Sequence, residues 1–438
     1  MMNIEYITHA SLLLRSANFS LLTDPCYFLE PFFATNLFHF PPRIITPETF
    51  SKLNYIYSSH IHIDHSHPQT LRQIKNQVET VILPSERPDL EKRYRDIGYD
   101  QIRLLENGQT VKLNDSLEVT SYWDDPIDTV LLIKVADKVI LHQNDCRLTT
   151  RTLSKIADNF KIDYAFLLYT NFANHQPTLS YGLHEDISRQ VAEDEEKFLQ
   201  SQIDVIKILQ PKTIIPYSMT LTYCQPEQIH LNGYNRMTPT IFKNKLLNHL
   251  PAAKCWIMQP GDIIDLELDS WQYFNHKNLW GETLDEYLHN ITDYIDKESI
   301  PKFDFGDPEA YQEKTIHHLT RLFAVVPPIF INKVIAFEVI GNNDSICYII
   351  ECEKARVYID NLHLHETSNN YFIKLSIPAS MVEKMIDDNS CESILEFMLY
   401  SNRVLFKVNY DKNLSIPAQF GLLIKVLLFI FGGQDASQ

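Results

Sequence analysis

The sequence has little of what marks several common classes of protein. Only 11 of its 438 residues are glycine, and no glycine-rich phosphate-binding loop, Ser-His-Asp signature or internal repeat is present. Its seven cysteines show no C-x-x-C spacing and no disulfide framework, which indicates reduced thiols and predicts a cytoplasmic protein. The first residues carry an acid rather than a basic segment before an apolar core, so we expect no signal peptide.

Long apolar runs and an excess of basic charge are also missing. The run from Leu422 to Phe431 is interrupted by Lys425 and is too short to span a bilayer, which predicts a C-terminal core or interface helix and no membrane span. The formal net charge is -17, and this argues against a nucleic-acid binder, which needs a basic face. With 45% hydrophobic and 22% charged residues, the chain is typical of a globular protein of two or more domains.

What the sequence does contain is a dense group of metal-binding residue types. His60, His62, Asp64 and His65 stand within six positions, directly after the apolar run Tyr55-Ile56-Tyr57. Histidines two apart in an extended segment point to the same side, and imidazole suits zinc and iron while a carboxylate supplies a hard oxygen. Two overlapping pairs indicate two neighbouring metal ions. The alternative is a surface loop that is rich in histidine.

The order His-x-His-x-Asp-His resembles the metallo-β-lactamase family. The resemblance covers about residues 1–270 and implies an α/β fold, the αβ/βα sandwich, with the metals at the sheet edges. It implies that Asp24, at a strand end, orients the metal loop, and that His9 lines the site. It also implies that Asp145, which follows the strand Lys138–His142, bridges the two metals. The alternative for Asp24 and for Asp145 is a turn residue.

The order of further pieces is similar to the metallo-β-lactamase-fold part of CMP-N-acetylneuraminate hydroxylases. The matching pieces include Thr8-His9-Ala10, Asp24-Pro25, Asp128-Thr129, Asp145-Cys146 and Pro260-Gly261-Asp262. That branch carries a Rieske iron–sulfur domain, and this sequence has no paired Cys and His ligands of that type. Electrons would therefore come from an external reductase. The nucleotide-sugar substrate is not carried over.

Two positions depart from the family pattern. Near Trp123, where the third histidine of the first metal site is expected, the sequence offers Asp124 and Asp125, and we prefer Asp124 by position. A carboxylate there makes the site harder and better suited to iron. The resemblance extends to di-iron oxygenases built on this fold, in which the same histidine is exchanged for a glutamate. The alternative is that both aspartates are loop residues.

The second departure concerns the loop after the strand at residues 213–218. Tyr217-Ser218 stand where hydrolytic members have a final histidine ligand, so the second metal lacks an obvious terminal ligand. His175 and His184 are the substitutes that the sequence offers, with a pocket or surface position as the alternative. Tyr217 is a candidate polar wall for an oxidant or substrate, and His142 is expected to pack in the core.

The remaining chain predicts a helical connection over residues 271–330 and a smaller α+β domain over residues 331–438. In the latter, five segments alternate like strands of an antiparallel sheet: 336–340, 346–350, 355–359, 371–375 and 404–408. Helices are expected at about 378–388 and 392–400. The order resembles a sterol-carrier domain, which implies a bound hydrophobic ligand. The alternative is an interaction or dimerisation module, with a homodimer as its consequence.

These patterns predict a di-iron oxygenase that hydroxylates or otherwise oxidises a small organic substrate. His60, His62 and Asp124 would hold one iron, and Asp64, His65 and Asp145 the other; zinc or manganese are the alternative metals. Dioxygen and an external electron donor would be required. One alternative is a dinuclear metal hydrolase of an ester, lactone, thioester or phosphodiester, with Asp64 also orienting the nucleophile. Another is a non-catalytic protein whose C-terminal domain carries a lipid.

Overall fold

The structure is a computed structural model of the chain. It describes residues 2–27, 37–43, 45, 49–50, 52–62, 64–170, 187–218, 221–223, 232–233, 237–274, 277–295, 308–322, 333–340, 345–354, 356–360, 373–378, 382 and 405–408. The chain divides into two compact units. The first comprises Met1–Phe32, Leu37–Phe172 and Val191–Glu298, and the second includes Ser299–Gln438.

The first unit contains sixteen strands and all or most of six α-helices within the described residues. The strands are β1 Asn3–Thr8, β2 Ser11–Arg15, β3 Ser20–Thr23, β4 Leu37–His39, β5 Leu53–Tyr57, β6 Val78–Pro84, β7 Ile102–Leu105, β8 Thr110–Asn114, β9 Leu117–Tyr122, β10 Val130–Val135, β11 Lys138–His142, β12 Tyr164–Leu168, β13 Thr213–Tyr217, β14 Leu221–Tyr223, β15 Ile263–Asp265 and β16 Ser270–Gln272. The helices are α1 Pro68–Ile74, α2 Pro88–Ile97, α3 Thr150–Asn159, α4 Ile187–Leu209, α5 Pro239–His249 and α6 Leu284–Ile295.

Two large mixed sheets organise this unit. One has eight strands in the order β16-β15-β1-β2-β3-β5-β6-β7, and the other has six in the order β13-β12-β11-β10-β9-β8. In the first sheet β1 and β3 both run antiparallel to β2, while β5 runs parallel to β3. The ends of β1, β3 and β5 therefore lie at the same edge of the sheet. In the second sheet β11, β12 and β13 are parallel and β10 is antiparallel to β11, so the start of β10 lies beside the end of β11.

Successive side chains along the strands point to opposite sides, and apolar residues on both sides produce four layers. Leu12, Leu14, Leu131, Ile133 and Phe166 point into the core between the two sheets. The intervening residues face the helices, because successive strand side chains point to opposite sides. On one outer face Leu13 and Ile56 join a cluster with Leu71 of α1 and Tyr94 of α2. On the other, Leu132 and Leu167 join a cluster with residues of α3, α4 and α5. This is the predicted αβ/βα sandwich.

Local sequence explains where the helices beside the site begin and end. His67 accepts a hydrogen bond from the Thr70 backbone N–H and precedes Pro68, so it caps α1. Thr149 caps α3 in the same way through Thr152. At the end of α2, Gly98 has φ +93°, a left-handed conformation that glycine adopts without strain.

The first unit extends beyond residue 270, the limit that we expected from the sequence. Trp280 is 1% exposed and donates its indole N–H to the backbone carbonyl of Met258 at 3.0 Å. Its ring stacks on Tyr287 of α6. These contacts bind the predicted helical connection to the first unit.

The second unit has one α-helix, one short 3-10 helix (Cys352–Lys354) and one sheet among its described residues. The helix is α7 Pro308–Leu322, and the strands are β17 Val334–Ile340, β18 Ser345–Glu351, β19 Arg356–Asp360, β20 Ile373–Pro378 and β21 Leu405–Val408. The sheet order is β19-β18-β17-β20-β21. All five segments predicted as strands contribute to it, but β17 and β20 are parallel, so the expected antiparallel sheet is mixed. The predicted helices at 392–400 and 422–431, and nearly all of the one at 378–388, lie outside the described residues.

Candidate metal centre

The polar residues at the adjoining strand ends form one buried cluster. Three overlapping groups have ligand atoms within 4.8 Å of one another: His60, His62 and Asp128; His60, His65 and Asp145; His9, Asp64 and His65. The rings of His60 and His65 have centroids 4.3 Å apart, so the groups adjoin. That spacing is compatible with two metal ions about 3.5–4 Å apart.

The sheet edges explain how distant residues meet. His9 follows β1, Asp24 follows β3 and the His60–His65 loop follows β5, all at one edge of the first sheet. At the second sheet, Asp128 precedes β10 and Asp145 follows β11. The two sheets are joined where Thr129 donates its hydroxyl to the Ser59 carbonyl at 2.9 Å. This bond places Asp128 opposite His60, with 3.5 Å between Oδ1 and Nε2.

Asp24 orients two of the candidate ligands. Its Oδ2 lies 2.9 Å from His65 Nδ1 and accepts a hydrogen bond from the Ser59 hydroxyl at 2.9 Å. The same hydroxyl lies 2.8 Å from His60 Nδ1. Because an ionised carboxylate only accepts, His65 carries its proton on Nδ1, and so does His60, which donates to Ser59. Both Nε2 lone pairs are then left for a metal, and Asp24 has the orienting role that the resemblance implies.

The cluster fits metal ions by two further observations. Asp64 Oδ1, His65 Nε2, Asp128 Oδ1 and Asp145 Oδ1 are buried and have no hydrogen-bond partner among the residues that the structure describes. Each such group costs about 1–3 kcal/mol, and a pair of cations would satisfy the four atoms between them. Two ligands at about 2.1 Å from a tetrahedral ion lie about 3.4 Å apart. The facing atoms here are 2.8 Å apart for His60 and His62, and 3.5 Å apart for His65 and Asp145.

The electrostatics of the cluster also favour a cation. Burial, followed by the neighbouring imidazoles, lowers the pKa of His60 well below its usual range, and burial lowers the pKa of His62, so both rings are neutral as a metal requires. Burial also disfavours a charged His65, but Asp145 and Asp64 outweigh it and raise its pKa well above the usual range. Burial and the charge of Asp145 raise the pKa of Asp128 to about 7. Negative charge is therefore in excess here.

Asp124, our preferred third ligand of the first ion, does not lie in the cluster. It is exposed, and its carboxylate accepts hydrogen bonds from the Thr149 N–H at 2.6 Å and the Thr152 hydroxyl at 2.7 Å, at the start of α3. Asp125 accepts from the N–H groups of Ile127 and Asp128 and folds the loop. The carboxylate that faces His60 is that of Asp128. The signal for it was available in the sequence, because Asp128-Thr129 is one of the pieces that match the hydroxylase branch, but Asp128 was not interpreted as a ligand.

Tyr217 does not line the cluster either. It is fully buried, and its hydroxyl accepts a hydrogen bond from the Asn144 N–H at 2.8 Å. Asn144 has φ +55° and directs the chain into Asp145, so Tyr217 positions that carboxylate rather than forming a wall. His142 packs against Tyr217, and its Nε2 lies 2.7 Å from the Ala10 carbonyl, so it is a core residue. His175 and His184 lie outside the described residues.

Strain is concentrated at this site. Among the described residues, eight that are not glycine have positive φ, and His9, Asp24, Asn144 and Ser218 are four of them. Left-handed backbone at such residues costs of order 1–3 kcal/mol each and is often found at functional sites. The four strained residues at the site come after strands β1, β3, β11 and β13, where the chain turns sharply at the sheet edge.

Fold and site together define an αβ/βα sandwich with a candidate centre for two metal ions. Residues 3–146 match the family model of the beta-lactamase superfamily domain, which confirms the predicted resemblance. Within the described residues no helix is long and apolar enough to cross a bilayer. The sterol-carrier resemblance of the C-terminal domain stays a prediction.

The proteins to which the chain is similar in sequence or structure include hydroxylases and a hydrolase. The cytidine monophosphate-N-acetylneuraminic acid hydroxylase of Mus musculus is 24% identical over 282 residues, which are 60% of this chain and 47% of that protein. The chain thus spans about half the length of the curated relatives it matches. The solved structure of CmlA, a diiron beta-hydroxylase from Streptomyces venezuelae, is 18% identical with a TM-score of 0.44, over 60% of this chain and 54% of that one. Igni18, a metallo hydrolase from Ignicoccus hospitalis, is 17% identical with a TM-score of 0.41, over 63% of this chain and 99% of that one.

Proposed function

We propose that the protein is a di-iron oxygenase that hydroxylates a small organic substrate. The observation that carries the proposal is the ligand set, in which Asp128, Asp64 and Asp145 contribute carboxylates beside three or more imidazoles. A ligand set that contains several carboxylates suits iron better than a set made only of imidazoles and thiolates. Sequence relatives named as hydroxylases support the same chemistry.

In this proposal His60, His62 and Asp128 would hold one iron. Asp64 and His65 would hold the other, and Asp145 would be a ligand of the pair. Two bound irons would supply the redox chemistry that activates dioxygen. The protein's own residues set the geometry: Asp24 fixes the ligating nitrogens of His60 and His65, and Tyr217 fixes the backbone before Asp145.

The reaction needs two electrons from outside the described residues. One oxygen atom enters a C–H bond as a hydroxyl group, and the other leaves as water with two protons and two electrons. Within the part of the chain that the structure describes, all candidate clusters of metal ligands lie at this one centre. The proposal therefore includes an external reductase or a small-molecule donor.

The test is metal analysis of protein purified without oxygen and reloaded with ferrous ion. We expect two irons per chain, a Mössbauer spectrum of a coupled iron pair, and oxygen uptake after chemical reduction. His62→Ala should lose uptake and at least one iron, whereas exposed His249→Ala should keep both. Two zinc ions with no affinity for iron would overturn the proposal. Oxygen-independent cleavage of esters, lactones, thioesters or phosphodiesters would then assign the hydrolase alternative.

A further inference from the structure

Among the described residues, the second ion of the proposed pair would have few ligands in the expected places. Asp64 and His65 would hold it, and Asp145 would be shared with the first ion. At the end of β13, where the resemblance implies a terminal histidine, the chain carries Tyr217 and Ser218 instead. Tyr217 is occupied with Asn144, and Ser218 is fully buried beside another side chain, that of His9.

We infer that His9, at the end of β1, is the terminal ligand of the second ion. Its Nε2 lies 3.2 Å from Asp64 Oδ2, and its ring meets that of His65 edge-on with centroids 5.2 Å apart. One ligand atom from each of His9, Asp64 and His65 lies within 4.8 Å of the others. Two ligand atoms at about 2.1 Å from one ion lie at most about 4.2 Å apart. Asp64 Oδ2 lies within that limit of both histidines, 3.2 Å from His9 Nε2 and 3.8 Å from His65 Nε2.

The backbone around His9 is arranged to direct this side chain. The pairing of β1 with β2 shifts register between Tyr6 and Thr8, and His9 itself has φ +47°. Bulges next to active sites re-aim side chains, and left-handed backbone at a residue other than glycine is held at a cost. His9 is 0% exposed. The chain thus turns a buried imidazole into the cluster.

Ser218 explains why the histidine can come from β1. Its N–H donates to the His9 carbonyl at 3.2 Å, and its hydroxyl lies 3.5 Å from His9 Nε2. A small side chain at the end of β13 leaves the space into which the His9 ring extends. In this inference His9, from the first sheet, replaces the terminal histidine that the resemblance implies at the end of β13, in the second sheet.

The inference rests on the proposed pair of metal ions, and its test measures binding rather than activity. We would titrate metal-free wild-type protein with zinc against a chromophoric chelator, and repeat this with His9→Gln, His67→Asn and the double variant His175→Gln/His184→Gln. His67 is a matched control because it is also buried, lies outside the candidate ligand groups and caps α1, a role that asparagine can fill.

We expect wild type, His67→Asn and the double variant to bind two ions. His9→Gln should bind the second ion at least tenfold more weakly, since even outer partners of ligands change affinity 10–100-fold. Two ions bound by His9→Gln with wild-type affinity would overturn the inference and leave the dinuclear centre intact. A wild type that binds no pair of ions would overturn the proposed function together with the inference.

A second measurement applies if His9→Gln does not fold. In the zinc-loaded double variant labelled with ¹⁵N-histidine, four metal-shifted imidazole resonances are expected, from His9, His60, His62 and His65. Three resonances, or loss of the second ion in the double variant, would assign the terminal ligand elsewhere and overturn the inference.

Discussion

Asp24 shows how one carboxylate determines the ligand chemistry of two imidazoles. Its two oxygens accept hydrogen bonds from the backbone and hydroxyl of Ser59, and one of them also faces His65 Nδ1. Since both imidazoles direct a proton toward Asp24 or Ser59, both direct a lone pair away from them. Asp24 lies outside the candidate ligand groups and still decides which nitrogen of each ring is available to a metal.

Replacing Asp24 by asparagine tests this role. The amide keeps the size of the side chain but weakens the acceptor that holds the His65 proton on Nδ1, so we expect a 10–100-fold loss of metal affinity. Chelator competition measures it. The control is Asp163→Asn, because Asp163 is also buried and accepts from the Val139 N–H at 2.9 Å, far from the cluster. Unchanged affinity in Asp24→Asn would contradict the assigned role.

Asp128 and Asp124 form a second comparison at the residue scale. Asp128→Asn should weaken binding of the first ion at least tenfold, because its Oδ1 faces His60. Asp124→Asn should leave metal affinity unchanged and lower stability slightly, because its carboxylate supports only the start of α3. The measurements are metal stoichiometry and urea unfolding. The opposite pattern of metal loss would restore the interpretation made from sequence.

This pair also shows what the sequence could and could not establish. The His60–His65 motif is local, so its spacing alone indicated a group of metal-binding side chains, and Asp145 was expected beside it from the family resemblance. Asp124 and Asp128 lie four residues apart in one loop, and nothing in their spacing distinguishes a helix cap from a ligand. The difference comes from hydrogen bonds to α3, to Asp125 and between Thr129 and Ser59, which exist only once both sheets are in place.

At the scale of elements, helix α2 holds the loop after β5 that carries His60, His62, Asp64 and His65, here called the metal loop. Arg93 donates to the carbonyls of Ile61 and, at 3.0 Å, Ser66, which lie on either side of Asp64 and His65. Within the loop, His65 and Ser66 both donate their N–H groups to the His62 carbonyl and form a turn. The helix therefore fixes the loop from one side while β5 fixes it from the other.

Arg93→Met is expected to loosen this loop. Two carbonyls lose a charged donor, which costs about 1–3 kcal/mol for groups left unsatisfied, and metal affinity should fall because the ligands are less well ordered. Thermal unfolding and chelator competition give the two values. Arg95→Met is the matched control, because Arg95 lies on the same helix but bonds the exposed Glu91 and Asp100. Equal effects of the two variants would argue against a role for α2 in the centre.

At the scale of the whole molecule, the fold was more predictable than the site. The sandwich of the first unit was expected from the family resemblance, and the strands of the second unit from alternation of apolar residues. In the first unit β2, β10 and β12 are apolar almost throughout, because their residues face two different cores. The limit of the first unit was less predictable, because Trp280 reaches its partner through a contact distant in sequence. A pattern predicts which faces are buried but not which surface buries them.

The candidate ligands come from both sheets of the first unit, so bound ions would cross-link the sheets only in the folded state. A free ion at 1,000 times its dissociation constant should stabilise this unit by about 4 kcal/mol. The second unit offers no cluster of metal ligands among its described residues and should gain nothing directly. Hydrogen exchange of peptides from β5 and β11, compared with β17 and β18, measures both units in one sample. Removing the metal should speed exchange in β5 and β11 alone, and an equal change in all four strands would contradict a centre confined to the first unit.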